Sequence, residues 1–433
     1  MDAVTIGVIV TIMFLVSLAL GMHVGLALLT AGFVGITMLR GYDRALSMLS
    51  TSAVGYVSNF SLAVIPMFML MGNFAIGSGI TKDLFDACYK WFGNRRGGLG
   101  IITIATTAIF NCFCGSATAS TATMGTVCYP EMTRYGYRPH VGAALIASCS
   151  AYGLLIPPSL GFIIYAMMAE VSVARVFAAG VIPGIIVFAL SFVLLAVWAR
   201  IDPTAMPAGE KFPLNERLRS LKGVIAFAGL FLFMLWGIFT GFFSPSEGGA
   251  IGAAGAFIIM AVRRKASFKN VWSALRDSAK TTVMIFTIMI GATYFGTFMA
   301  MTQLPRRLAA MLIASDLSPF AILWVIVIVY VLLGMVLDNL PLLTILTPIF
   351  MPIVYAMGWD PIWFGVISIL CMIIGLITPP DGVPVYVISG ITGVPLFTVF
   401  KGCVPFFILI SGVLVLCVYI EPLSTWLPRV MMG

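Results

Sequence analysis

A glycine followed four residues later by a Pro-Pro pair occurs twice in this chain. GLLIPPS begins at Gly153 and GLITPPD begins at Gly375, an offset of 222. The same offset pairs Pro130 with Pro352, Gly136 with Gly358, Pro139 with Pro361 and Pro183 with Pro405, although Gly142 meets Phe364. Residues 130–183 are therefore repeated without a gap at 352–405. Each copy puts two prolines in the middle of an apolar segment. Proline has no N–H, so it cannot bond the carbonyl four residues back. Pro157 and Pro158 release the carbonyls of Gly153 and Leu154, and Pro379 and Pro380 release those of Gly375 and Leu376. Any fold of this chain must find those oxygens another partner.

The chain is 61% hydrophobic and only 9% charged. A soluble domain is about a quarter charged, so too little polar surface exists to cover a water-soluble globule. An all-α polytopic membrane protein follows. At roughly 20 residues per crossing, the candidate spans are 3–20, 24–39, 59–77, 98–113, 140–168, 173–199, 222–241, 248–262, 281–300, 318–336, 361–391 and 395–420. Asp2 stands where a cleaved leader would carry basic residues, so 3–20 is read as a permanent helix. The cysteines are scattered, with Cys112 and Cys114 the nearest pair, and His23 and His140 lie far apart. No spacing suggests a metal site or a disulfide framework.

The net charge of +8 is a topology signal. With the N-terminus outside, 18 of the 24 Lys and Arg fall on the cytoplasmic side, 17 of them in clusters at 82–96, 134–138, 200–222 and 263–280. Residues 1–200 then form one unit, 201–221 a cytoplasmic linker and 222–433 a second unit. Unit one makes five full crossings if 98–133 enters and leaves by one face. Five is odd, so the second unit is inverted, with its own hairpin at 318–357. Each hairpin is read as two half-length helices meeting at a polar tip. The first is rich in Gly, Ser and Thr (NCFCGSATASTATMGT), and the second contains Asp338, Asn339 and Pro341. Irregular backbone at membrane depth is tolerated only inside protein or beside a water-filled cavity. The stretches 43–57 and 269–280 are too short and mixed to span, and are read as helices lying in the interface or as loops. Glu247 in SPSEGGA is read as a helix cap.

Bare carbonyls at mid-membrane suit a dehydrated Na⁺, a hard ion that unwound transporter helices coordinate in this way. Ser159 and Thr378 add oxygens beside the breaks, and Ser116 and Asp338 sit at the hairpin tips. Asp338 and Asp381 are the carboxylates at membrane depth, costly to insert without a cation or proton.

With these motifs together, the sequence resembles the large membrane subunit of tripartite ATP-independent periplasmic (TRAP) transporters. The resemblance runs over essentially the whole chain. It is carried by GSATASTATMG and PEM within 115–132, GLLIPPS, SPSEGGAIG at 244–252, TPIFMPIV at 347–354 and GLITPPDG. It implies an elevator-type architecture. The scaffold parts would be 1–58, 171–200, 222–280 and 393–433, and the transport parts 59–170 and 281–392. It implies two sodium ions, one near Ser116, Gly153, Ile156 and Ser159, the other near Asp338, Gly375, Thr378 and Asp381. It implies a small organic anion, carboxylate or sulfonate, near Thr118, Ser120, Ser159 and Asn339. The implied partners are a small four-helix membrane subunit, a periplasmic substrate-binding protein and the lipid bilayer of the bacterial inner membrane. The chain departs from the family pattern at Cys149, Ser150 and Ala151, at Asp381 and at Pro384.

Other functions fit less well. A sodium/anion symporter without a binding protein shares the same breaks. An intramembrane enzyme would need a nucleophile–base pair or metal ligands, and no HExxH or GxSxG motif is present. A passive channel is a further alternative, which transport against a gradient would exclude.

Overall fold

The computed structural model describes residues 2–432 except 95, 305, 306, 308, 309, 312–316 and 381, together with the backbone but not the side chains of Phe113 and Cys114. The elements described are helical. In unit one they are α1 (Ala3–Ala19), α2 (Val24–Arg40), α3 (Tyr42–Val57), α4 (Val64–Ser78), α5 (Ile80–Phe92), α6 (Gly98–Cys114), α7 (Ala117–Arg134), α8 (Pro139–Ser150), α9 (Leu160–Met168) and α10 (Val173–Ile201). Unit two contains α11 (Leu214–Phe239), α12 (Pro245–Val262), α13 (Phe268–Thr302), α14 (Pro319–Gly334), α15 (Asn339–Ala356), α16 (Pro361–Leu376), α17 (Val383–Thr392), α18 (Leu396–Tyr419) and α19 (Pro422–Met432). Among the described residues, seven helices are long and apolar enough to cross a membrane.

The offset read from the sequence holds at the level of helices. Shifting the bounds of α7 by 222 gives those of α15, and the first residue of α8 maps onto that of α16. Packing repeats as well. The arm α7 lies on α17 of the other unit, and α15 lies on α9, so each hairpin grips the far half of the opposite broken helix. The long helices α10 and α18 close around the pair, α10 against α9 and α16, and α18 against α8 and α16. This is a pair of inverted-topology repeats with two helical hairpins.

The broken helices form the centre of the molecule. Every residue from Val141 to Ser150 and from Trp363 to Leu376 is buried. A helix that is apolar all round belongs in an interior. Small residues set the closest approaches. A Cβ on Gly180 would meet the Phe162 ring and come within 2.7 Å of the Leu155 carbonyl. Gly402, its partner in the repeat, would set a Cβ 2.6 Å from that of Ala144. A second bundle lies beside this centre, in which α4 packs on α12 and α13, α2 on α1, α3 and α13, and α11 on α5 and α12.

Four sequence expectations change. The stretch 269–280 is not a separate element but the start of α13, a single helix of 35 residues. The first repeat does break at the matching point. Asn59 caps a 3₁₀ turn by accepting from the Ser61 N–H at 3.0 Å, and Pro66 follows in the first turn of α4. Unit two carries Thr281 and Ile288 there and has no reason to stop. The boundary at 280 between scaffold and transport parts consequently falls inside one rigid helix. The hairpin arms, of 17, 18, 16 and 18 residues, reach roughly 24–27 Å at 1.5 Å per residue. They are nearly full-length, and the half-length helices are instead α8, α9 and α17.

The linker is also shorter than 201–221. Helix α11 starts at Leu214, with Glu216 in its first turn where the helix dipole favours an acid. Residues 202–209 form a strap across the ends of unit one. Gly97 N–H donates to the Met206 carbonyl and Arg138 N–H to the Ala205 carbonyl, both at 3.2 Å, and Gly209 N–H donates to the Gly93 carbonyl at 2.8 Å. Asp202 pairs with Arg138 at 2.6 Å and accepts from the Thr204 hydroxyl at 2.7 Å. As expected, Glu247 caps α12 reciprocally with Ser244.

Two outcomes test this packing. Gly180→Ala should destabilise the protein by about 1–3 kcal/mol through overpacking. Gly229→Ala, on an open face of α11 with nothing within 4 Å, should be neutral or stabilising by up to about 1 kcal/mol. Thermal unfolding in detergent reads both. Separately, the Thr204 hydroxyl and Arg138 hold the Asp202 carboxyl below its ordinary value of 3.8. Its stabilisation is therefore present above that value and is lost as pH falls through the lower folded-state value. Asp202→Asn should melt lower than the parent at neutral pH, and the gap should close below about pH 4.

Candidate functional site

Each break is pressed against the first arm of its own hairpin, backbone to backbone. A Cβ on Gly153 would lie 2.5 Å from Asn111 Cβ and 2.8 Å from Cys112 N on α6. A Cβ on Gly375 would lie 2.5 Å from the carbonyl of Gly334 on α14. Cys112 and Gly334 are themselves related by 222. The two glycines are thus required for the same contact in both repeats. In both breaks the Pro-Pro peptide bond is cis.

The tips match in kind. Gly115 ends α6 in the left-handed conformation at φ 64°, the usual role of a glycine at a helix C-terminus. Ser116 then caps α7, its Oγ accepting from Ala119 N–H at 3.2 Å. Asp338, at the equivalent position, caps α15 by accepting from Asn339 N–H at 2.8 Å. One tip therefore offers a hydroxyl and the other an exposed carboxylate. Tip one touches the second half of its broken helix, since a Cβ on Gly115 would lie 3.3 Å from Leu160 Cβ.

Three of the four carbonyls released by the prolines, those of Gly153, Leu154 and Gly375, have partners. Ser159 is buried and donates its hydroxyl to the Leu154 carbonyl at 2.5 Å, while capping α9. Thr378 donates to the Ile374 carbonyl at 2.5 Å, and its N–H donates to the Gly375 carbonyl at 3.1 Å. The Gly153 carbonyl has Cys112 Sγ at 3.8 Å. Local hydroxyls and amides take over the role of the missing proline N–H groups. A carbonyl has two lone pairs, so these partners orient the oxygens without using them up.

The remaining expected residues divide. Ile156 lines an apolar cavity of 410 Å³ with Pro157, Phe188 and Phe231, so any cation contact it makes falls to its carbonyl. Thr118 is half-buried on the first turn of α7. Ser120 is buried, and its hydroxyl points at the Thr107 carbonyl at 3.2 Å, inside hairpin one. Asn339 is 6% exposed, and its Oδ1 has no hydrogen-bond partner among the described residues. Asp381 lies outside the described residues. The contacts around the two breaks are made by hydroxyls, a carboxylate, main-chain oxygens and one orphaned amide oxygen. That donor set suits a hard monovalent cation and a small polar ligand.

Sequence reasoning missed Asn111 and Thr121 and noted Ser150 only as a departure. All three are buried at the first break. The signal was an asparagine closing the apolar run of α6.

The chain matches the family model described as "Tripartite ATP-independent periplasmic transporter, DctM component" over residues 11–423. It belongs to that family. It is 33% identical to the C4-dicarboxylate TRAP transporter large permease protein DctM of Pseudomonas aeruginosa, covering 86% of this chain and 87% of that one. It is 32% identical to the 2,3-diketo-L-gulonate TRAP transporter large permease protein YiaN of Escherichia coli, covering 94% and 95%. The fold resembles the crystal structure of the Alcanivorax borkumensis YdaH transporter, with a TM-score of 0.64 at 17% identity over 88% of this chain and 90% of that one. This TRAP large permease is a multi-pass membrane transporter component, and its relatives are named as permeases.

A buried, unpaired Oδ1 is a cost that a ligand removes. Asn339→Leu should therefore leave the ligand-free permease as stable or more so, by about 1 kcal/mol, while lowering uptake. Melting and transport measured on the same preparation check this. A fall in both would mean that the amide only holds the fold.

Proposed function

We propose that the permease imports a small organic anion, coupled to Na⁺, by an elevator movement. The observation that carries this reading is the duplication itself. Two proline-broken helices each meet the end of a hairpin's first arm through a glycine, in matching register. An enzyme needs one reactive constellation, whereas a carrier with two coupling ions uses two equivalent sites. Site one would draw on Ser116, Gly153, Ile156 and Ser159, and site two on Asp338, Gly375, Thr378 and Asp381. Ions there would order the hairpin tips and complete an anion pocket near Thr118, Ser159 and Asn339. Ser120 would support that pocket from inside the hairpin. The first turns of α7 and α15 supply N–H groups suited to a carboxylate or sulfonate. Relatives named for C4-dicarboxylates and 2,3-diketo-L-gulonate support a carboxylate cargo.

The family description names a tripartite, periplasmic system. In this reading a periplasmic substrate-binding protein delivers the anion, and a small four-helix subunit completes the membrane complex. The N-terminus lies on the periplasmic side of the inner membrane, as the Lys and Arg distribution favours. Each net positive charge carried inward gains roughly 2.3 kcal/mol per 100 mV, so two Na⁺ with a monoanion would respond to membrane potential.

Uptake of small organic acids into liposomes holding the complex tests the coupling. Transport should collapse when choline replaces Na⁺. Asp338→Asn should raise the Na⁺ concentration for half-maximal uptake by about tenfold, the scale of one charge-assisted contact. Equal uptake in choline overturns the sodium reading.

A further inference from the structure

The two breaks are not equally long. Helix α8 stops at Ser150 and gives way to a 3₁₀ turn at Tyr152–Leu154, whereas α16 runs on to Leu376. The residue of α16 equivalent to Ser150 is Met372, well inside the helix. Break one thus opens one turn earlier.

Asn111 accounts for the difference. In a continuous helix the Leu154 N–H would bond the Ser150 carbonyl. Here it bonds the Ala151 carbonyl at 3.1 Å. The Ser150 carbonyl, in a residue with no exposure, instead accepts from Asn111 Nδ2 across 39 residues of sequence. Thr121 of the other hairpin arm reaches Ser150 Oγ at 2.6 Å, and Ser150 Oγ donates to the Ala147 carbonyl at 2.7 Å. Asn111 Cβ is also the atom nearest to where Gly153 would carry a side chain. A single side chain therefore stands in for the missing backbone donor and sets the seat of Gly153. In the second repeat, Asn111, Thr121 and Ser150 correspond to Leu333, Leu343 and Met372. No amide is needed there because the helix continues.

We infer that Asn111, braced by Thr121 and Ser150, is the positioning residue of the first cation site. It holds α8 open so that Gly153 is seated against the end of α6 with its carbonyl facing Cys112. The inference rests on the sodium reading and adds a device unique to site one. Without the amide, a buried carbonyl is left unpaired, and its ready remedy is to extend the helix by a turn, as α16 does. That remedy re-pairs the Leu154 N–H with the Ser150 carbonyl and shifts Leu154 and Gly153 from the positions that Ser159 and Cys112 now meet.

The experiment varies Na⁺ during uptake by the reconstituted complex. Asn111→Leu, which installs the residue of the second repeat, should raise the Na⁺ concentration for half-maximal uptake by about tenfold, the scale of one lost hydrogen bond to a buried acceptor. The maximal rate at saturating Na⁺ should stay within about twofold. Thr121→Val should shift the same parameter in the same direction by a smaller factor, and Thr121→Ser should behave as the parent. The melting shift produced by Na⁺ on the purified permease should shrink in parallel. Where Asn111→Leu does not fold, the Thr121 pair decides. If either variant lowers the maximal rate while leaving the Na⁺ dependence unchanged, Asn111 is only a packing residue and the inference is overturned. Indifference of the unaltered permease to Na⁺ is a separate result, which removes the sodium reading itself.

Discussion

A helix that stops inside a bilayer leaves carbonyls that lipid cannot hydrogen-bond, and each such group costs several kcal/mol. This permease carries two such stops. Most of its architecture can be understood as the arrangement that makes them tolerable. The halves α8 and α16 of the broken helices are buried against α10, α18 and the hairpins from Val141 to Ser150 and from Trp363 to Leu376, while Pro379 and Pro380 at the second break are exposed. Glycines at 153 and 375 let a hairpin backbone come close enough to cover each gap. The Ser159 hydroxyl holds the released oxygen of Leu154, and the Thr378 N–H holds that of Gly375.

The same arrangement prepares a site. Oxygens that are oriented by one partner but retain a second lone pair are ready to coordinate, and little reorganisation remains to be done on binding. The repeats solve the problem in different ways. The first uses neutral groups, with Ser116 at the tip and an amide strut behind the break. The second keeps its helix longer, places a carboxylate at the tip and leaves one amide oxygen unpaired. Under the proposed sodium coupling, duplication gave two related seats whose charges differ.

Much of this was readable from residue order. The offset of 222 located both breaks, both hairpins and the equivalence of Ser116 with Asp338. The cap at Glu247 followed from its local motif. Failures came where a local pattern was ambiguous. The polar start of α13 read as a separate element because its lysines and arginines mask a helix that simply continues into the apolar stretch. The linker was overestimated for the same reason, since charged residues open α11. The carbonyls were expected bare because proline counting identifies the donor that is lost but not the hydroxyl that replaces it. Ser120 was expected to face the anion, yet its hydroxyl turns into the hairpin.

By itself the sequence determined that the chain lives in a membrane, that it is built from two inverted halves, and where each half must break. Composition, charge distribution and proline stereochemistry are local properties, and they need no knowledge of neighbours. Only the tertiary structure decided what covers each break. The groups that do so come from elements far apart in the chain, such as Asn111 on Ser150 and Gly334 on Gly375. Which of many polar residues meets a given carbonyl depends on how the helices pack, and periodicity carries no record of that.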